Sequence, residues 1–206
     1  VNYINVEGRP TADFYSNSTT ACPDNNMFQF TNTSSGGATT YLWDFGAGTT
    51  SSDVNPSHSY TYSGTFTVTL FAMNGNGCQD DYILSQYITI YPKPDPTILV
   101  SDTASCDPST AFQFSNNGQD VTSWYWYFDD FTYSTDQNPI HTFPQQRIYN
   151  VSLIVTNSFG CKDTSDGYKS IHIGFKNSAD FATDVANSCT PSTVYFNNNN
   201  LNISSS

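Results

Sequence analysis

Tyr41-Leu42-Trp43-Asp44-Phe45-Gly46 and, further along, Trp124-Tyr125-Trp126-Tyr127-Phe128-Asp129 are two versions of one pattern. Tyr41, Trp43 and Phe45 alternate onto one side, as do Trp124, Trp126 and Phe128, which is the period-2 signature of a strand with one buried face. Trp43 returns as Trp126 at an offset of 83 residues (126 − 43 = 83). The same offset carries Asn55-Pro56-Ser57-His58 onto Asn138-Pro139-Ile140-His141, Val68-Thr69-Leu70 onto Val151-Ser152-Leu153, and Gly77-Cys78 onto Gly160-Cys161. An ungapped match of that extent reads as tandem duplication of one structural unit.

The ends carry the same period. Ile4-Asn5-Val6 matches Ile88-Thr89-Ile90, and Ala12-Asp13-Phe14 matches Ala179-Asp180-Phe181. The expected organisation is a last strand of a preceding repeat over 1–9, full repeats over 10–92 and 93–175, and the first strands of a further, truncated repeat over 176–206. The sequence begins without Met on strand-like residues, so it is expected to be cut from something longer.

Within each repeat, Phe66, Val68, Leu70 and Ala72 alternate and end at Asn74-Gly75-Asn76-Gly77, a turn rich in residues that tolerate positive φ. About seven short strands per repeat predict an all-β fold: immunoglobulin-like sandwiches in tandem, with aromatic cores. Composition agrees, because glutamate occurs once, at Glu7, and Thr, Tyr, Phe, Val and Ile outweigh the good helix formers. The formal charge of −12 disfavours nucleic acid and anionic membrane surfaces as partners. No apolar run is long enough to span a bilayer, so no membrane insertion is expected.

Three stretches of the first repeat then resemble the polycystic-kidney-disease (PKD) domain: 41–46, Asn55-Pro56-Ser57-His58-Ser59-Tyr60, and Gly64-Thr65-Phe66-Thr67-Val68-Thr69-Leu70. They follow the family's W-x-F-G-D-G turn, N-P-x-H-x-Y segment and G-x-Y-x-V-x-L strand. The second repeat departs from it, with Asp129-Asp130 at the glycine turn and Arg147 at the glycine before the penultimate strand; Ala47 replaces the usual Asp in the first. The resemblance implies a seven-stranded sandwich serving as a spacer or as a protein- and glycan-contacting module. Trp43, Phe45 and His58, with Trp126, Phe128 and His141, are its core motif. Arrays with added cysteines look most like giant cell-surface proteins of Bacteroidota, implicated in gliding and filament formation and exported by type IX secretion. That implies an extracellular, outer-membrane-attached location and cell adhesion. The alternative is an accessory region of a secreted protease or polysaccharide-degrading enzyme.

The five cysteines follow the repeat: Cys22, Cys106 and Cys189 are one position, Cys78 and Cys161 another. The expected pairs are Cys22–Cys78 and Cys106–Cys161, one within each repeat, with Cys189 unpaired by truncation. Disulfides place the chain in an oxidising compartment.

No catalytic set can be assembled. His58 and His141 are repeat equivalents, expected to pack beside the Asn-Pro turn, and His172 is expected to face outward between Ile171 and Ile173. A single glutamate rules out a Glu pair of the glycosidase kind. No cofactor is expected; Asp44, Asp129 and Asp130 are weak Ca²⁺ candidates, since hard cations want several oxygens. Tyr125, Tyr127 and Ile154 are expected on an outward face that could contact surface glycans or another surface protein. Asp102-Thr103-Ala104 resembles a bacterial O-glycosylation signal, which would modify Thr103.

Overall fold

The computed structural model describes residues 8–165 and 167–174. The described residues divide into two compact units: residues 8–93 with the short segment 159–161, and residues 94–158 with 162–165 and 167–174. The segments expected to be the tail of a preceding repeat (1–7) and the beginning of a further one (176–206), Cys189 included, lie outside the described residues.

The first sandwich is built from β1 (Phe14–Ser16), β2 (Thr20–Ala21), β3 (Met27–Asn32), β4 (Ala38–Asp44), β5 (Thr50–Ser51), β6 (Ser57–Ser59), β7 (Gly64–Asn74) and β8 (Gln79–Ile90). One sheet runs β1-β3-β6 and the other β2-β8-β7-β4-β5. All pairings are antiparallel except β2 with β8, which is parallel and sets Ala21 opposite Ile90 at the far end of β8. The alternation read from the sequence is the alternation of burial. Phe66, Val68, Leu70 and Ala72 of β7 are buried, and the first three pack with Trp43, Phe28, Phe30, Ile88 and Ile90.

The second sandwich repeats the plan with β9 (Leu99–Val100), β10 (Ala104–Ser105), β11 (Ala111–Ser115), β12 (Val121–Tyr127), β13 (Tyr133–Ser134), β14 (Ile140–Thr142), β15 (Ile148–Asn157), β16 (Lys162–Thr164) and β17 (Lys169–Ile173). Its sheets run β14-β11-β9 and β10-β17-β15-β12-β13, with β16 pairing β15. The strand that is continuous as β8 is here interrupted into β16 and β17. Again the short strand β10 lies parallel to the end of the last one, Ser105 opposite Ile173.

The two cores solve the same polar problems, sometimes with different atoms. Trp43 and Trp126 are fully buried, and each indole N–H donates to a loop carbonyl, of Asp53 and Asp136 respectively, at 2.9 Å. Tyr60 donates its hydroxyl to the Phe45 carbonyl. Phe143 stands at that position in the second repeat and has no hydroxyl; there Tyr149, at the position of Phe66, donates to the Gln145 carbonyl and accepts the Gln145 N–H. Among the described residues no buried side-chain polar atom lacks a partner, the condition for a well-specified interior.

Candidate functional site

The two histidines of the repeat lie beside the turn after β4 and β12. His58 stacks on Phe45 with centroids 4.3 Å apart, and His141 on Phe128 at 4.0 Å. Their outer nitrogens meet different groups. His58 Nε2 contacts the Thr49 hydroxyl at 3.2 Å, whereas His141 Nε2 lies 2.8 Å from a carboxylate oxygen of Asp130. The first repeat has Ala47 where the second has Asp130, so the carboxylate partner exists only once.

Burial holds the His58 pKa below its usual value. Burial alone would raise Asp130, but hydrogen bonds from Thr132 and His141 outweigh it and keep the carboxyl below the usual range. A histidine with a depressed folded pKa binds its proton more readily when unfolded. Its contribution is complete above about pH 6.5, the unfolded value, and is lost as pH falls toward the folded value. Asp130 has the same sign in a lower window: its contribution is complete above about pH 4 and is lost as pH falls through the folded value. Melting followed from pH 7.5 to 5 should therefore show the first sandwich weakening, and His58→Gln should flatten that slope. An unchanged slope in the variant would remove His58 as its cause.

The departures at Asp129 and Arg147 explain each other. Gly46 has φ +74, and a Cβ there would sit 2.4 Å from the Thr67 carbonyl oxygen. Asp129 takes the equivalent place with φ 61, and its carboxylate accepts the Asn150 N–H at 3.1 Å and Arg147 Nη1 at 3.2 Å. Arg147 also donates to the Asp129 carbonyl and lies 3.9 Å over the Tyr149 ring. The turn thus exchanges a glycine for a carboxylate clamped by a guanidinium. The three calcium candidates are engaged with groups of the protein itself. Asp44 accepts the Gly46 N–H, Asp129 is paired with Arg147, and Asp130 with His141. No group of three or more His, Cys, Asp or Glu side chains is placed to hold a metal among the described residues.

The outward face of β12 and its neighbours is aromatic. Tyr125 is 44% exposed, Tyr127 37%, Tyr133 65% and Ile154 37%. Tyr125 lies opposite Ile154 across β12 and β15, and Tyr127 opposite Tyr133 across β12 and β13. The Tyr125 and Tyr133 rings stack at 5.5 Å. A depression of about 490 Å³ beside them is lined by Ser123, Trp124, Tyr125, Thr135, Ile154 and Lys162 among others. In the first repeat the same face carries Leu42, Phe71 and Met73 around a depression of about 270 Å³. Sequence reasoning missed Tyr133. Its alternation with Ser134 and its match to Thr50 at the repeat offset were the available signals. Thr103 is exposed, with its backbone N–H bonded to the Asp102 carboxylate. His172 is exposed on β17.

The cysteines pair otherwise than expected. Cys22 is bonded to Cys161, with Cα atoms 5.4 Å apart, and Cys78 is a free, exposed thiol. Cys106 is disulfide-bonded as well, and not to Cys161. Strand order is the reason. Cys22 follows β2, which is registered against Ile90, whereas Cys78 immediately precedes Gln79 at the opposite end of β8. Those ends lie roughly 36 Å apart at ~3.3 Å per residue, far beyond the ~7 Å that a disulfide can bridge between Cα atoms. Cys106, after β10, and Cys161, before β16, are separated by the second sheet in the same way. In the first unit, Phe159 of the 159–161 turn stacks on Tyr91 at 3.9 Å beside this bond, and Lys93 pairs with Asp24 at 2.9 Å.

Comparison with known proteins settles the family. The PKD-domain family model matches residues 7–90 and again residues 92–171. The chain belongs to the PKD-domain family. Among curated relatives, the Pre-pro-metalloprotease PrtV of Vibrio cholerae is 35% identical over 91 residues, which is 44% of this chain and 8% of that protein. Collagenase ColA of Bacillus cereus is 45% identical over 47 residues, 23% of this chain and 5% of that protein. The chain therefore spans less than a tenth of either relative. The solved PKD1 domain of the Vibrio cholerae metalloprotease PrtV is 32% identical, covering 40% of this chain and 96% of that domain, at a TM-score of 0.35.

Proposed function

We propose that this chain is a non-catalytic structural and adhesive segment of a larger secreted or cell-surface protein, in which PKD units act as a disulfide-linked stalk. The observation that carries the reading is how the repeated motif is used. Trp43, Phe45 and His58, like Trp126, Phe128 and His141, are spent on packing and on internal hydrogen bonds. No nucleophile, base and orienting group are left convergent on a cleft among the described residues. On this reading residues 10–92 and 93–175 are the units, 1–9 and 176–206 belong to further copies, and the finer assignment is a surface adhesin of the Bacteroidota kind, exported to the outer membrane by type IX secretion. The relatives favour a second reading, an accessory region of a secreted protease, because PrtV and ColA are named as a metalloprotease and a collagenase.

Deleting this segment from the parent protein separates the two. The stalk reading expects loss of cell attachment with hydrolysis of protein and polysaccharide unchanged. Loss of hydrolysis of an insoluble substrate, with attachment intact, would establish the accessory reading in its place.

The contact surface on this reading is Tyr125, Tyr127 and Ile154, with Tyr133 added. Aromatic faces fit the apolar faces of sugar rings, and the hydroxyls of Ser123, Thr135 and Thr156 border them. Tyr125→Ser with Tyr127→Ser should lower binding in a polysaccharide pull-down at least tenfold, and should change stability by no more than about 0.5 kcal/mol. Unaltered binding would discard the patch. Thr103 is proposed as an O-glycan acceptor; a mass above 22.8 kDa for this 206-residue segment, when it is exported by itself, is its signature.

A further inference from the structure

The outward faces of the two repeats differ in charge at equivalent positions. In the first repeat, Asp44 is exposed at the end of β4, and exposed Asp81 of β8 lies opposite Phe71. At the repeat offset both carboxylates are gone: Tyr127 stands for Asp44 and Thr164 for Asp81 (127 − 44 = 83; 164 − 81 = 83). A third change runs the same way. Gln79, opposite Met73, becomes Lys162, opposite Thr156. In a chain of formal charge −12, these three positions pass from two negative charges to one positive.

Lys162 is exposed and forms no ion pair among the described residues. Its neighbour Asp163 takes the other side of β16, registered against buried Val155, whereas Lys162 and Thr164 share the side of Thr156 and Ile154. Lys162 and Tyr125 border the same depression of about 490 Å³. Two strand steps of ~4.8 Å and two residues of ~3.3 Å put their Cα atoms roughly 12 Å apart. A sugar ring can therefore lie on Tyr125 while a substituent of the next one reaches the ammonium.

Building on the glycan-contact reading of this face, we infer that it selects acidic glycans. Sugar rings lie on the stacked Tyr125 and Tyr133, and a uronic-acid carboxylate is held by the Lys162 ammonium. A neutral sugar gains nothing from that lysine, whereas a carboxylate supplies the counter-charge the chain leaves out. The stacked tyrosines offer a platform for a flat ring, which favours a glycan over an acidic peptide. The first repeat has comparable apolar area in Leu42, Phe71 and Met73, but Asp44 and Asp81 beside it repel the same ligand. An exposed ion pair of this kind contributes about two- to fivefold in affinity.

The test titrates the full chain with hexasaccharides of galacturonic, mannuronic and glucuronic acid, each beside its carboxyl-reduced, uncharged counterpart. At low ionic strength at least one acidic form should bind about two- to fivefold tighter than its counterpart, and high salt should erase the preference. Lys162→Gln, which installs the first repeat's residue at an exposed position, should erase it as well and leave binding of the reduced forms unchanged. Thr164→Asp should reverse it. Equal affinity within every acidic and reduced pair, or a preference that survives Lys162→Gln, would overturn the acidic selectivity and leave the glycan-contact surface standing. Binding of none of the hexasaccharides would overturn both. So would a polyglutamate peptide bound more tightly than any of them, which would assign the face to an acidic protein partner.

Discussion

Trp43→Ala should destabilise the first sandwich by about 3–5 kcal/mol, the cost of emptying a large aromatic site that cannot collapse. Trp43 is fully buried and touches Phe14, Phe30 and Phe45 at ring-centroid distances of 5.0, 5.7 and 6.4 Å. Its indole N–H is also the donor to the Asp53 carbonyl, and loss of that bond adds about 1 kcal/mol. A domain of this size has a stability of only about 4–12 kcal/mol, at ~0.05–0.15 kcal/mol per residue, so the substitution removes a large part of it. Trp126→Ala should do the same to the second sandwich, whose tryptophan has the equivalent bond to Asp136. Urea unfolding of each variant measures the loss; a value under about 1 kcal/mol would mean that neighbouring rings fill the vacancy.

Cys22→Ser should be the second large effect. The bond it removes closes a span of 139 residues. The chain-entropy limit for such a loop is about 5 kcal/mol, and measured values for native bridges are commonly ~2–5 kcal/mol. The variant should also expose Cys161 to alkylation, and dithiothreitol, which also reduces the Cys106 bond, should lower the melting temperature of the wild type at least as much as the substitution does. Cys78→Ser in this 206-residue chain should leave melting unchanged, because its thiol is already free. Should Cys22→Ser make Cys78 newly reactive while Cys161 stays protected, the pairing described here is wrong.

The fold was legible because its signals are local. A strand displays alternate residues to opposite sides whatever it later packs against, so Trp43, Phe45, Phe66, Val68 and Leu70 announced their faces before any partner strand was known. The repeat offset doubled each signal and carried the reading from one sandwich to two. Tyr125, Tyr127 and Ile154 followed from the same alternation. Departures from the repeat were legible only as departures. That Arg147 clamps Asp129, that Asp130 meets His141, and that Asp129 accepts the Asn150 N–H depend on segments brought together from 11 to 21 residues apart.

The sequence by itself determined the period, the all-β class, the inward and outward faces and the two repeated cysteine positions. Tertiary structure alone decided which cysteines meet. Repeat membership put Cys22 with Cys78, but β2 runs parallel to the last strand and is registered against Ile90, which sends Cys22 to the end of the sheet opposite Cys78. Strand order is a long-range property, invisible to spacing, and a few ångströms of reach cannot cross the length of a twelve-residue strand.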